Sequence, residues 1–102
     1  MKYLNVNYNN SQTYFVDQNA ILNVVEYAIT KTKNVKLATP TRLHLEDNDC
    51  NVQIFVDIKV KKSDKLDINA IVKSLVEIIE TGVKNLLDVR PKNVQIAILG
   101  LY

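Results

Sequence analysis

Several residue types that build specialised sites are rare or missing in this chain of 102 residues. It has one cysteine, one histidine, two glycines and two prolines, and it has no tryptophan. A single cysteine cannot form an internal disulfide, so a disulfide-stapled secreted scaffold is excluded. The two glycines, Gly82 and Gly100, stand alone and cannot build a glycine-rich phosphate loop.

Long apolar runs and a strong charge imbalance are also missing. No run approaches the roughly 20 apolar residues of a membrane-spanning helix, and no basic start with an apolar run follows Met1. The formal net charge of +2 is too small to predict a nucleic-acid or membrane partner by itself. We therefore expect a soluble, intracellular protein that forms a single domain over residues 1–102 with one two-layer core.

The N-terminal part of the chain predicts two strands and a helix. Polar and apolar residues alternate over residues 2–8, and residues 13–16 are a short β-prone stretch able to pair with them. Asp17 is a good helix N-cap because its carboxylate can accept hydrogen bonds from free backbone N–H groups. Apolar residues then recur at helical spacing over residues 18–32, which predicts a helix with one face on a sheet.

A hairpin, a long helix and a last strand complete the predicted order. Residues 41–46 and 51–61 predict an antiparallel hairpin. From Asp67 the apolar period changes from 2 to 3.6, which predicts a helix, and residues 93–99 alternate again as a strand. The order β-α-β-β-α-β, with a short extra N-terminal strand, predicts an α+β fold. Its two helices pack on one face of a small, mostly antiparallel sheet.

Gly82 lies inside the long predicted helix, where it costs roughly 1 kcal/mol relative to alanine. A close approach of this helix to another backbone would explain the glycine. The apolar stripe around it includes Leu75, and Glu77 lies on the opposite, polar side.

No group of residues predicts catalysis or metal binding. His44 has no second histidine or cysteine pair for zinc, so we expect a solvated strand residue. Cys50 lacks a visible orienting group that would make a Cys–His pair nucleophilic. Residues 47–51 have turn chemistry and begin like a calcium loop, but Val52 and Ile58 stand where that loop needs glycine and glutamate. The sequence therefore predicts neither an enzyme nor a cofactor.

Two surface patterns are candidate binding sites. Valine and isoleucine occupy every second position of residues 52–60, so the other face of this strand carries Phe55 and ends in positive charge. If Phe55 lies near Leu99 and Leu101 on the side without helices, with Lys59 at the rim, these residues form a protein-contact surface.

The second pattern is a candidate basic patch, formed by Arg42, Lys59, Lys61, Lys62 and Lys65. A basic run of this kind is more often a solvated surface than an anion site. Combined with Phe55 as a stacking aromatic, it also allows an alternative function as a small RNA-binding domain.

Three segments resemble the alkaline-shock-protein family of Gram-positive bacteria, also called envelope stress response proteins. They are "VQIFVDIKV" (52–60), "INAIVKSLVEIIETGVKNLL" (68–87) and "KNVQIAILGL" (92–101). The last segment matches the family's final strand, V-x-V-x-V-x-G-I. Residues 13–38 are similar to the family's opening strand, short helix and Gly-Val segment.

The chain departs from the family pattern at three places. Asn34 stands where the family has glycine before a valine, "KKSDK" (61–65) stands for a Tyr-Gly loop, and Leu87-Asp88 stands for Thr-Gly. The resemblance implies a non-enzymatic, self-associating cytoplasmic protein that acts in cell-envelope homeostasis under stress. In some members of the family a separate anchor protein holds it near the membrane. The resemblance supplies no catalytic residues.

Overall fold

The computed structural model describes residues 3–9, 12–46 and 51–102, with side chains from Val16 onward. In chain order the elements are β1 (Tyr3–Asn9), β2 (Gln12–Asp17), α1 (Gln18–Lys31), β3 (Val35–Leu37), β4 (Arg42–Glu46), β5 (Asn51–Val60), α2 (Ile68–Leu87) and β6 (Asn93–Leu101). The α+β class and both helices are confirmed. The last strand continues two residues beyond its predicted end.

The main sheet has four strands with β5 at its centre. β3 pairs antiparallel with the end of β5, Val35 opposite Val60, and β4 pairs antiparallel with its start, Arg42 opposite Phe55. β6 pairs in parallel with β5, so it occupies the other edge. The predicted hairpin is confirmed as β4 and β5, and α2 is the crossover between two parallel strands.

The pairing of the N-terminal strands is also confirmed. β1 and β2 form an antiparallel sheet of their own, in which Tyr3 lies opposite Asp17 and Asn7 lies opposite Thr13. Among the described strands, β1 pairs with β2 alone. This hairpin therefore leads into α1 without joining the main sheet.

Both helices begin at an aspartate. The Asp17 carboxylate accepts a hydrogen bond from the Asn19 N–H at 3.0 Å, and the Asp67 carboxylate accepts one from the Ala70 N–H at 3.1 Å. These caps satisfy backbone donors that a first helical turn leaves free. The predicted N-cap at Asp17 and the start of the long helix are thus confirmed.

The core lies between the helices and the aliphatic face of β5. The strand contributes five fully buried side chains, from Val52, Ile54, Val56, Ile58 and Val60. The helices contribute Ile21, Val25, Ala28, Leu75, Ile79, Val83 and Leu87. The two helices cover only this face of the sheet. The opposite face of the sheet is directed away from them.

Gly82 marks the contact between the helices. A Cβ atom built at this position would lie 2.5 Å from Cγ1 of Val24 in α1. The close approach expected from the sequence is therefore present, although the atom approached belongs to a side chain and not to a backbone.

Candidate protein-contact face

The face of the main sheet opposite the helices is called the open face below. The strand registers place on it Lys36, Arg42, His44, Glu46, Gln53, Phe55, Asp57, Lys59, Gln95 and Ala97. Every second residue of β5 points to this face because the others, from Val52 to Val60, are buried against the helices.

A carboxylate lies at the centre of the open face. Asp57 is 9% exposed, and Nη2 of Arg42 donates to both of its carboxylate oxygens at 3.0 Å. The Thr39 hydroxyl donates to Oδ2 of the same carboxylate at 2.7 Å. A charge this buried is stable only when it is paired and hydrogen-bonded. The cluster also fixes the segment between β3 and β4, where the Ala38 N–H donates to the Asp57 carbonyl at 2.8 Å.

Phe55 lies beside this cluster and is partly covered by it. The Arg42 guanidinium carbon is 6.0 Å from the centre of the Phe55 ring, at the outer limit of a cation–π contact. Phe55 is half-buried. The open face thus presents an aromatic ring and an arginine held in a fixed orientation, where the sequence suggested an exposed aromatic.

Only one of the two leucines expected near Phe55 remains a candidate for the open face. Ile58 pairs with Ile98 and Lys59 pairs with Gly100, so Leu99 is the extra residue of a β-bulge. It is 55% exposed.

Leu101 was placed on the wrong face. It pairs with Val60, which is fully buried on the helix side, and residues that pair directly share a face. The bulge inserts one residue and therefore reverses the alternation of β6. Leu101 consequently belongs to the helix side of the sheet, and Tyr102 follows on the open side.

The basic patch differs from its predicted composition at Arg42. Because Arg42 lies opposite Phe55 and Lys59 lies four residues farther along β5, they are separated by about 13 Å along the strand. Arg42 is also committed to Asp57. It therefore belongs to the Asp57 cluster. The other basic residues of the predicted patch are called the lysine group: Lys59, Lys61, Lys62 and Lys65.

The lysine group has one member, Lys36, and one neighbouring aromatic ring, that of Tyr102, that the sequence analysis missed. Lys36 of β3 lies directly opposite Lys59, and its Nζ atom is 4.2 Å from the centre of the Tyr102 ring. The exposed residues Lys61, Lys62 and Lys65 follow in the loop after β5. Only the pairing of β3 with the end of β5 brings these residues together, and the short segment 35–37 carried no register signal.

A second carboxylate lies at the opposite end of the open face. The Lys92 ammonium is 3.0 Å from Oε2 of Glu46, and the Gln53 amide donates to Oε1 at 2.8 Å. The hydrogen bond from Lys92, followed by that from Gln53, lowers the pKa of Glu46 below its ordinary value of 4.5. This end of the face is therefore held by a charge pair.

Two residues, His44 and Cys50, were weighed for chemistry. His44 is exposed on the open face. In the part of the chain that the structure describes, no three His, Cys, Asp or Glu side chains are grouped to hold a metal ion. Cys50 and the predicted turn at 47–49 lie outside the described residues.

On the helix side, a groove of about 660 Å³ runs between α1 and α2. It passes Val24, Gly82 and the exposed ring of Tyr27.

None of the helices described here is both long enough and apolar enough to cross a bilayer. Comparison of the chain with protein-family models, with curated proteins and with solved structures gave no match.

Proposed function

We propose that this protein is a non-enzymatic, self-associating interaction module whose open sheet face is its contact surface. Like the family it resembles, it would act in cell-envelope homeostasis from the cytoplasm, recruited to the inner face of the membrane by an anchor protein. The observation that carries the contact surface is the ordered cluster of Phe55, Arg42 and Asp57 on a sheet face that neither of the described helices covers.

The composition of this cluster supports binding to a protein. Aromatic residues and arginine are enriched where protein interfaces contribute most affinity. The contacts from Asp57 restrain Arg42 before a partner arrives, which reduces the side-chain entropy lost on binding. Leu99 adds exposed apolar surface, and lysines at the end of β5 suit a partner that is acidic at its rim.

The family part of the proposal is supported by two of the sequence departures. Asn34 and Asp88 stand where the family has glycine, and they have positive φ angles of 65° and 61°. Within the described residues they are the only non-glycine residues in this backbone region. Glycine adopts it without strain, and Asn and Asp tolerate it better than other residues do. The backbone thus keeps the conformations that the family's glycines favour.

The contact surface is tested with Phe55→Glu, and the matched control is Tyr27→Glu on the helix side. Both changes replace an aromatic ring with a carboxylate, but only the first alters the open face. We expect Phe55→Glu to weaken self-association about tenfold or more, measured by sedimentation velocity, with Tyr27→Glu unchanged. Circular dichroism checks that both variants fold.

Equal self-association of the two variants would reduce the open face to a solvated surface. Should Phe55→Glu fail to fold, Lys59→Glu at the exposed rim replaces it. Because a charge reversal there alters the same face without touching the core, an unchanged assembly would then count against the proposal.

A second candidate function, RNA binding, is favoured by one specific observation. Lys36 and Lys59 lie opposite each other beside the Tyr102 ring, and an aromatic ring among cations is a common site for stacking a single-stranded base. If this is the function, binding of single-stranded RNA should weaken steeply with salt. It should also be lost in both Lys59→Glu and Tyr102→Ala. Phe55→Glu should affect self-association alone.

A further inference from the structure

The outer edge of β6 is open along the whole strand. β6 pairs with β5 on one side, and within the described residues no strand pairs with its other side. The β1–β2 hairpin forms a separate sheet and does not pair with this edge. An open edge presents unpaired backbone donors and acceptors and is a template for another strand.

The backbone groups that point outward can be assigned. The Val60 carbonyl accepts from the Tyr102 N–H at 3.0 Å, so the even-numbered residues of β5 direct their backbone groups to β6. In a parallel pair such a residue bonds to the two neighbours of the residue opposite it, and before the bulge even-numbered residues of β5 lie opposite even-numbered residues of β6. The odd-numbered residues of β6 therefore bond to β5, and Val94, Ile96 and Ile98 direct their N–H and C=O groups to the open edge.

This edge lacks the features that usually prevent strand addition. From Asn93 to Leu101 it has no charged residue and no proline, whereas charged residues and proline are the common protections of edge strands. The opposite edge of the sheet is interrupted between β3 and β4 at Pro40 and carries Lys36, Arg42 and Glu46. Within the main sheet the unprotected edge is thus β6.

We propose that β6 binds β6 of a second copy of this chain in antiparallel register, with the two-fold axis at Gln95. The proposal rests on the self-association proposed above and assigns it a contact. In this register Gln95 meets Gln95 of the second copy, and Asn93 meets Ala97. The outward N–H and C=O groups of Val94 are then paired with those of Ile96 of the second copy, and two four-stranded sheets become one continuous sheet.

A second copy of this chain fits the open edge of β6 because this strand has no charged residue. Around a two-fold axis each strand meets its own sequence in reverse, so a charged residue at the axis would meet an identical charge. β6 is uncharged throughout. Pairing with itself therefore brings no like charges together in the ladder.

A charge exchange at Gln95 tests the axis directly. Gln95→Lys and Gln95→Glu each place two like charges opposite each other, and we expect each variant alone to dissociate about tenfold more readily than the parent. Mixed in equal amounts, they should restore assembly as a one-to-one heterodimer, detected by native mass spectrometry. Thr81→Lys and Thr81→Glu, on the exposed side of α2, are the matched control pair and should change nothing.

A further variant tests the backbone. Val94→Pro removes an outward N–H but no bond to β5, while Val94→Ala keeps that N–H. We expect the proline variant to remain folded by circular dichroism and to lose assembly, and the alanine variant to assemble.

The outcomes separate this inference from the proposed function. If the parent assembles and Phe55→Glu disrupts it, but Val94→Pro does not, the edge pairing is wrong and the open-face proposal stands. If the Gln95 variants dissociate but their mixture stays monomeric, the edge binds a different segment, such as β1 of a second copy, and the two-fold pairing is wrong. A parent that stays monomeric at every concentration overturns both.

Discussion

Asn34 and Asp88 show how single residues shape the turns that follow the two helices of this protein. Asp88 follows the last residue of α2 with φ of 61°, and its N–H donates to the Lys84 carbonyl at 2.8 Å. Asn34 has φ of 65°, and its carbonyl accepts from the Lys61 N–H at 2.8 Å. Both residues reverse the chain in a conformation that favours glycine.

Replacement of Asn34 should therefore depend on backbone freedom and not on side-chain polarity. We expect Asn34→Ala to lower the free energy of unfolding by about 1 kcal/mol, because a Cβ without local hydrogen bonding is disfavoured in the left-handed region. Asn34→Gly should not destabilise. Urea denaturation of both variants measures this, and equal losses would mean that the asparagine side chain matters for another reason.

Glu46 should give the stability of the protein a dependence on acid pH. Because its pKa is lowered in the folded state, its contribution is present above the unfolded value near 4.5 and is lost as the pH falls through the folded value. We expect Glu46→Gln to flatten the loss of unfolding free energy below about pH 5. The control is Glu77→Gln, which removes a carboxylate outside this contact. If Glu46→Gln lost as much unfolding free energy at acid pH as the parent, the Lys92 contact would be excluded as the cause of that loss.

Helix α2 is the element whose apolar stripe contributes most clearly to the core. Leu75 is fully buried, whereas Glu77 is exposed. We expect Leu75→Ala to lower the free energy of unfolding by about 2–5 kcal/mol, as large-to-small core changes do. Glu77→Ala should change it by no more than about 0.5 kcal/mol. Similar shifts of the two urea midpoints would contradict the orientation of this helix.

The packing of α1 on α2 depends on Gly82. Alanine in a helix interior gains about 1 kcal/mol over glycine, but here its Cβ would lie 2.5 Å from Cγ1 of Val24. Valine has few alternative rotamers in a helix, so we expect Gly82→Ala to destabilise by about 1–3 kcal/mol. The double variant Val24→Ala/Gly82→Ala should be more stable than Gly82→Ala. A gain in stability for Gly82→Ala alone would show that the helices separate at little cost.

At the scale of the whole molecule, the N-terminal hairpin and the main sheet should contribute unequally to folding. β1 pairs with β2 alone among the described strands, whereas Val94, Ile96 and Ile98 of β6 pack on the core. We expect deletion of residues 1–9 to leave cooperative thermal unfolding intact. Deletion of residues 93–102 should abolish it. Loss of the cooperative transition on the first deletion would make β1 part of the folding unit.

The sequence by itself determined both helices, every strand except β3, and the buried face, because these depend on local periodicity and caps. The apolar spacing of residues 18–32 and the capping carboxylates of Asp17 and Asp67 act within one or two turns of a helix. Strict alternation in β5 likewise assigned every second residue to the buried face without information about the neighbouring strands. These residues are Val52, Ile54, Val56, Ile58 and Val60.

The tertiary structure alone decided which open-face residues meet. One bulge residue, Leu99, turns Leu101 to the helix side, and no pattern in the sequence of β6 predicts this bulge. The sequence allowed Arg42 either to pair with Asp57 or to join the lysines in a basic patch. Only the register of β4 against β5 selects the pair with Asp57. Register depends on hydrogen bonds and packing between residues far apart in the chain. It therefore follows from the assembled sheet, where shifting a strand by one residue would exchange its buried and exposed side chains.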